Sequence, residues 1–446
     1  MSDLLSIGAS GVRAYQTALT TVSENIANAG AAGYSRRTAN VREISAPGSP
    51  VGTGANGLGV SVLGVNRAAD QFRSAEVRTT SADLARTEAG VTWLERIESA
   101  LTAEKLGDQL TSFFGAARTL AADPSSLPQR AAMLEAASSV ASAFTATGEA
   151  LASAAAELEQ ATDVQVDQLN GIATALARVN SGIGRSAPGS GTAAAQLDER
   201  DRLLESLSAI TDANVSFDAV GRVTVRLGGS NGPALVHGEQ SGTVTAVFNE
   251  EGAASFALHL NGETRAFSPA AGALSGAAEG AQRIADARAS LNALASDFVT
   301  GINQFQASGR DLNGTAGAPM FEAGDPPTRI AMVLTDPRGI AAAAVGGGTR
   351  DNSNLTALES LRSSAGYEAG LSGLVSANAS ALSARRSVAD AQTAIRDGAV
   401  AARDAVSGVN VDEEAVDLIR FQQAYQASAR VIQVARETLQ AMLEIR

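Results

Sequence analysis

The sequence predicts a mainly α fold: an elongated multi-domain rod of long coiled-coil-like helices formed by both chain ends, with a small β-rich inserted domain. Three observations predict it. Apolar residues recur every seven positions near both termini, three- and four-residue apolar steps run through the middle, and several runs of alternating apolar residues gather at about 215–270. The chain has 446 residues, beyond the roughly 250–300 at which a single core stops growing, so several parts are expected. Aromatics make up 4% of a sequence rich in Ala, Ser, Thr and Gln, which suits helices packed through small side chains.

Leu5, Val12, Leu19 and Ile26 are spaced by seven, and Gly8, Tyr15 and Val22 form a second row displaced by three. This is an a/d seam on one helix over about 4–28, with Ser2 or Asp3 to cap it and Asn28 and Gly30 to stop it. Gly8 and Gly11 each cost ~1 kcal/mol relative to Ala, and such a helix is marginal alone in water. The expectation is that the termini fray in the monomer and order on assembly.

At the other end, Val411, Leu418, Tyr425, Ile432 and Leu439 repeat the seven-residue spacing. Asn410 with Glu413 reads as a capping box, and Asp412, Glu413 and Glu414, with Arg436 and Arg446 toward the other end, suit the helix dipole. A helix over 411–444 follows. The two terminal helices are expected to pair with each other or with the same helices of neighbouring subunits.

Residues 31–66 turn to Gly, Pro and Ser with strand-like stretches such as Gly59 to Leu63, a linker with one or two strands. Helical periodicity returns from about 67 and breaks at Asp123-Pro124 and Pro128. It then runs as Ala137, Val140, Phe144, Thr147, Leu151, Ala154, Leu158 and Ala161, followed by Leu169, Ile172, Leu176 and Val179. These steps predict a long rod helix with one offset near Gln165. Val215 and Phe217, then Val223, Val225 and Leu227, then Phe256, Leu258 and Leu260 alternate with polar residues as strands do. Helical signal resumes at Ile284, Leu291, Leu294, Phe298 and Ile302 and again over 367–406. The expected division is a terminal assembly module (1–66 and 407–446), a long-helix rod (67–214 and 281–406) and an outward β-rich insertion (215–280).

Several functions are disfavoured. The formal charge is −13 with no basic run, against nucleic-acid binding. There is no cysteine, which removes disulfides, thiolate metal sites and cysteine nucleophiles. The start, Met1 to Ser6, lacks the basic and apolar regions of a cleavable signal peptide, and no uncharged apolar run reaches the ~18 residues of a bilayer span, so a soluble chain exported by another route is expected. Gly52 to Gly57 spells G-x-G-x-x-G, but strand-like Leu58 to Leu63 follows where a dinucleotide site needs a helix, so it reads as a connector. His237 and His259 have no nearby carboxylate cluster. Asp198, Glu199 and Asp201 beside Arg200 and Arg202 read as ion pairs on a solvated helix face rather than an acid/base pair. No catalytic residue, metal or cofactor is expected, and the chain does not read as an enzyme.

Asn25-Ile26-Ala27-Asn28-Ala29-Gly30-Ala31-Ala32-Gly33-Tyr34-Ser35-Arg36 resembles the N-terminal signature of flagellar rod, hook and hook-associated axial proteins, departing from it at Ala31-Ala32, where Thr-Pro is common. Ser407 to Glu414, continuing from Leu418 to Ala429, resembles the C-terminal motif of the hook-associated protein 1 (FlgK) family. Leu197 to Asp201 with Leu203, Leu204, Leu207 and Ser208, Asn303 with Gly309 to Gly314, and Asp351 to Leu355 are similar to internal motifs of that family.

The resemblance implies a subunit that self-assembles into a ring at the hook–filament junction and contacts the hook protein. It would also seat the next junction protein, hook-associated protein 3 (FlgL), so that flagellin can polymerise. It further implies export through the flagellar type III apparatus without a cleaved signal, and an export chaperone, FlgN, at the C-terminal helix. Leu5, Val12, Leu19, Ile26, Val411, Leu418, Tyr425, Ile432 and Leu439 are the expected assembly interface, an internal helix pair being the alternative. Gln426, Gln433 and Gln440 recur at seven and read as an interface or channel stripe, or as plain solvent-exposed residues. Competing readings are another hook or rod subunit and, in a different class, a type III secreted effector or adhesin.

Overall fold

The computed structural model describes residues 2–31, 33–44 and 59–444. The caps read at Ser2 or Asp3, the Gly52–Gly57 run, Ala32 and Arg446 lie outside the described side chains. Helix α1 (Ser2–Ala27) is followed by the antiparallel pair β1 (Arg37–Glu43) and β2 (Val60–Arg67). Helix α2 (Gln71–Ala103) starts where the Asp70 carboxylate accepts from the amides of Phe72 and Arg73. Lys105, with φ 48°, turns the chain into α3 (Leu106–Ala122).

Helix α4 (Leu127–Arg185) carries Pro128 in its first turn, where the missing amide costs no helical hydrogen bond. At 59 residues it is about 90 Å long, the longest helix among the described residues. Its buried stripe runs through Leu151, Ala154, Leu158, Thr162, Val166, Leu169 and Ala173. Three successive four-residue steps from Ala154 to Val166 move the frame by one residue, which accounts for the offset read near Gln165. Two residues of the predicted stripe shift accordingly: Thr162 is buried in place of Ala161 and Ala173 in place of Ile172. The Thr162 hydroxyl is satisfied by the Leu158 carbonyl at 2.8 Å, so a polar residue sits on the stripe without an orphaned group.

Helix α5 (Gly191–Ile210), capped by Ser190, leads into two antiparallel sheets. The first contains β3 (Ala213–Phe217), β4 (Val223–Leu227), β5 (Ala234–His237) and β6 (Gln240–Ser241), in that order. The second contains β7 (Thr243–Phe248), β8 (Ala254–Leu260) and β9 (Glu263–Phe267). Then come α6 (Ala273–Ser308), the pair β10 (Phe321–Ala323) and β11 (Ile330–Met332), and a 3₁₀ turn Pro337–Gly339. Helices α7 (Ser353–Ala365), α8 (Tyr367–Ser407) and α9 (Val411–Glu444) complete the chain.

Helix α4 passes through two apolar cores. Its first half packs with α2, α3, α6, α7 and the start of α8 around Phe298, whose ring lies 5.8 Å from Phe113, 5.5 Å from Phe321 and 5.4 Å from Tyr367. Burying one such aromatic contributes about 1.5–3 kcal/mol. Its second half packs with Leu203 to Ile210 of α5 and with sheet residues Val223, Val225, Leu227, Val244, Phe256 and Leu258. Two asparagines of α4 pin the sheets to it. Asn180 donates to the Val223 and Gly238 carbonyls at 2.8 and 2.7 Å and accepts from the Val223 amide. Asn170 does the same at Val244, at 3.0 and 2.7 Å. The sheets are thus fixed along one helix by side-chain amide bonds, buried at Val223 and half-buried at Gly238 and Val244, each worth about 1 kcal/mol.

Candidate assembly site

Helices α1 and α9 pack antiparallel: Asn25 meets Glu414, the Tyr15 and Phe421 rings lie 6.3 Å apart, and Gly8 faces Ile432. The sequence places small residues along this face of α1. A Cβ on Gly8 would stand 2.7 Å from Ile432 Cγ1, and one on Gly11 would stand 2.6 Å from Ser428 Oγ. Ala14, Ala18 and Thr21 are buried in phase between Gly11 and Asn25. The two glycines, unfavourable for an isolated helix, are what let α9 approach.

The predicted interface residues divide. Leu5, Val12, Leu19 and Ile26 are half-buried and flank this seam. The row that meets α9 is therefore the small-residue row beginning at Gly8, because close approach selects small side chains over leucines. On α9, Leu418, Tyr425 and Ile432 are half-buried on one face with Glu414, Phe421, Ser428 and Ala435. Val411 and Leu439 are 47% and 41% exposed, and Gln426, Gln433 and Gln440 are exposed. Val416, Ile419, Val431, Val434, Met442 and Leu443 are also exposed, so α9 carries apolar residues away from α1.

At the open end of the helix pair, three sequence motifs meet. The Asn25 amide donates to Glu414 Oε2 at 2.9 Å and to the Arg37 carbonyl at 2.7 Å, while its oxygen accepts from the Arg37 amide and from the Tyr34 hydroxyl, each at 2.9 Å. Arg36 reaches the other Glu414 oxygen at 2.7 Å and Glu413 at 3.5 Å. Asn410 caps α9 by accepting from the Asp412 amide at 3.1 Å, so Glu413 pairs with Arg36 rather than completing the expected reciprocal box. Arg37 pairs with Glu24 at 3.1 Å and with Asp198 at 2.6 Å, and Asp198 also holds Arg67 at 2.7 Å. Arg67 continues to Asp201 at 2.8 Å, and the Arg36 amide donates to the Ser407 carbonyl at the end of α8.

The reading of Asp198 to Arg202 as a solvated face is therefore half corrected. Glu199 and Arg202 pair in solvent, but Asp198 and Arg200 are 9% and 4% exposed: β1 and β2 bring Arg37 and Arg67 onto Asp198, and Arg200 lies against Gly221 and Phe217. Burial works against the Arg37 charge, and the hydrogen bond and charge of Asp198 overcome it, so its pKa stands above the ordinary value. Burial pushes the Tyr34 phenol up to about 12, and its ring lies 4.9 Å under Arg37. Arg200 is pulled down by burial, bonded to Asp201 and the Gly221 carbonyl, and lies over the Phe217 ring at 4.3 Å, tying α5 to the first sheet.

The remaining motif residues hold irregular chain in place. Asn303 bonds both the amide and the carbonyl of Phe321. Asp311 accepts from the amides of Asn313 and Thr315 to form a turn, and buried Asn354 ties the Phe305 and Ala341 carbonyls together. Both histidines are exposed, His259 lying between Thr245 and Thr264. Among the described residues no three His, Asp or Glu gather as a metal site, and no helix is long and apolar enough to cross a membrane.

The family model of the flagellar hook-associated protein FlgK helical domain matches residues 92–321, more than half of the chain. The chain belongs to the FlgK family. A second model, the C-terminal region of flagellar basal body rod FlgEFG proteins, matches 403–445, the stretch that includes α9. Among curated relatives, flagellar hook-associated protein 1 of Escherichia coli K12 is 27% identical over 80% of this chain and 66% of its own. That of Salmonella typhimurium is 29% identical over 73% and 60%, and that of Bacillus subtilis is 22% identical over 96% and 95%. The chain thus spans under two thirds of the length of the first two FlgK relatives. The solved hook junction protein FlgK of Burkholderia pseudomallei aligns with a TM-score of 0.49 at 20% identity, over 56% of this chain and 46% of that one.

Proposed function

We propose that this chain is a structural, non-enzymatic subunit of the bacterial flagellum that forms the hook–filament junction and seats the next junction protein, so that flagellin can polymerise. The observation that carries this reading is the convergence of both chain ends and the Leu197–Asp201 motif on one buried network, joined through Asn25, Arg37, Asp198 and Glu414, in a member of the FlgK family. Such a network orients the α1/α9 pair against the body, as a subunit that transmits shape along an axial assembly requires. Its partners in this reading are further copies of itself, the hook protein and hook-associated protein 3 (FlgL), with the chaperone FlgN at α9 before export through the flagellar type III apparatus. Val411 and Leu439 supply exposed apolar contact to neighbours, Leu5, Val12, Leu19 and Ile26 add half-buried apolar surface beside the α1/α9 seam, and Leu418, Tyr425 and Ile432 hold the pair that presents them. The terminal module (1–66 and 407–446) lies in the axial assembly, with the β-rich insertion (215–280) outward.

Electron microscopy of a deletion strain, with an assay for flagellin in the medium, tests this. Completed hooks without filaments and shed flagellin are expected. Normal filaments would remove the junction role, and missing hooks would move the chain to the rod or hook.

A further inference from the structure

Arg78 of α2 lines two neighbouring cavities: one of about 640 Å³ beside the chain that follows α1 and the α8–α9 junction, and one of about 420 Å³ among β2, α5 and the β3–β4 turn. Arg78 is half-buried and makes no hydrogen bond or ion pair among the described residues. The carboxylates that face it are committed elsewhere: Asp201 to Arg67 and Arg200, and Glu205 to Arg403. Burial holds its pKa below the ordinary value, Asp201 and Glu205 offset this in part, and Arg200 adds repulsion. Of the other cations lining the first cavity, Arg36 is held by Glu414 and Arg403 by Glu205 and Asp404.

A half-buried guanidinium without a counter-ion loses part of its hydration uncompensated, and its planar fork of donors matches a carboxylate. The one Asp or Glu whose side chain is not described, Asp3, belongs to the first turn of α1, about 35 Å by helix length from the cleft-lining stretch that begins at Ala29, and the carboxylates at the cleft are already paired. A second copy carries a surplus of them, with 47 Asp and Glu against 34 Lys and Arg.

We infer that Arg78 is a socket for an acidic side chain of a neighbouring copy of this chain, filled when copies assemble; this rests on the self-assembling role proposed above. The pairing is intermolecular and completes a cleft that a single chain leaves open.

Lys105 is the one lysine in the sequence, which makes a direct test available. An Arg78→Lys chain, assembled in cells and isolated with its hook and filament, is treated with a carbodiimide, which joins an amine to a contacting carboxylate as an amide. Chain-to-chain dimers in the variant, absent from wild type treated alike, are expected. Assembled variant with no such dimer, or cross-linked only within one chain or to a different protein, overturns the inference. If Arg78→Lys fails to assemble, Arg78→Gln with an unchanged circular dichroism spectrum is expected to enter the structures at a severalfold lower level, and wild-type incorporation overturns the socket. Absence of the wild-type chain itself from isolated axial structures sinks the junction reading instead.

Discussion

Asn25 and Glu414, 389 positions apart in sequence, are joined by a 2.9 Å hydrogen bond with both side chains buried. Glu414 is shared with Arg36, and Asn25 with Tyr34 and the Arg37 backbone, so one carboxylate registers α9 against α1 and against β1. Glu414→Ala is expected to cost about 1.5–3 kcal/mol, the range for a hydrogen bond to a charged group. A double-mutant cycle with Asn25→Ala should give a coupling of about 0.5–3 kcal/mol, read from hydrogen exchange in α1 and α9. Additive effects would mean that the two residues do not act together.

Asp198 neutralises two buried arginines, Arg37 and Arg67. Asp198→Ala should destabilise the joint by about 3–5 kcal/mol, because it breaks a buried pair and leaves Arg37 with only the part-exposed Glu24 and Arg67 with only Asp201, which Arg200 also shares. Exchange protection in β1 and α5 should collapse while the core around Phe298 stays protected. Unchanged protection in β1 would contradict the buried network.

Gly8 faces Ile432 so closely that Gly8→Val must overpack the seam, at about 1–3 kcal/mol, although valine is the better residue in an isolated helix. Adding Ile432→Ala should recover part of the loss by making room. Failure of the second substitution to rescue α9 protection would place the contact elsewhere.

Tyr34 gives a pH dependence with a definite sign. Its folded-state pKa of about 12 lies above the ordinary 10.0, so the stability it contributes is fully present below pH 10 and is lost as pH rises toward 12. Wild type should exceed Tyr34→Phe in stability at neutral pH, and that margin should shrink through this window. A margin independent of pH would show that the phenol is not held protonated by the fold.

Gln426, Gln433 and Gln440 are exposed on α9, and replacing all three by Lys places three charges there without touching the α1 seam. Reduced filament growth and flagellin export are expected, measured by microscopy and by flagellin in the medium. Unchanged growth and export would leave the stripe as ordinary solvent-exposed surface.

The elements whose signal is local were legible in the sequence itself. The seven-residue spacing from Val411 marks helix α9, and the stepped apolar run marks α4, because each follows from which side chains share a face within a turn or two. The alternation at Val223 to Leu227 marks β4 for the same reason, whereas β5 escaped because Leu235 and Val236 are both buried and show no alternation. The motif residues were visible as motifs, but not their partners. That Asp198 would meet Arg37 and Arg67 instead of solvent, that Glu414 would lie on Asn25, and that Arg78 would be left without a carboxylate were decided only by the tertiary structure. Periodicity records which residues turn inward; it carries no information about which of 47 acidic and 34 basic side chains the returning chain brings within 3 Å. That choice is made by the close approach that Gly8 and Gly11 permit and by the fold that carries residue 414 back to residue 25.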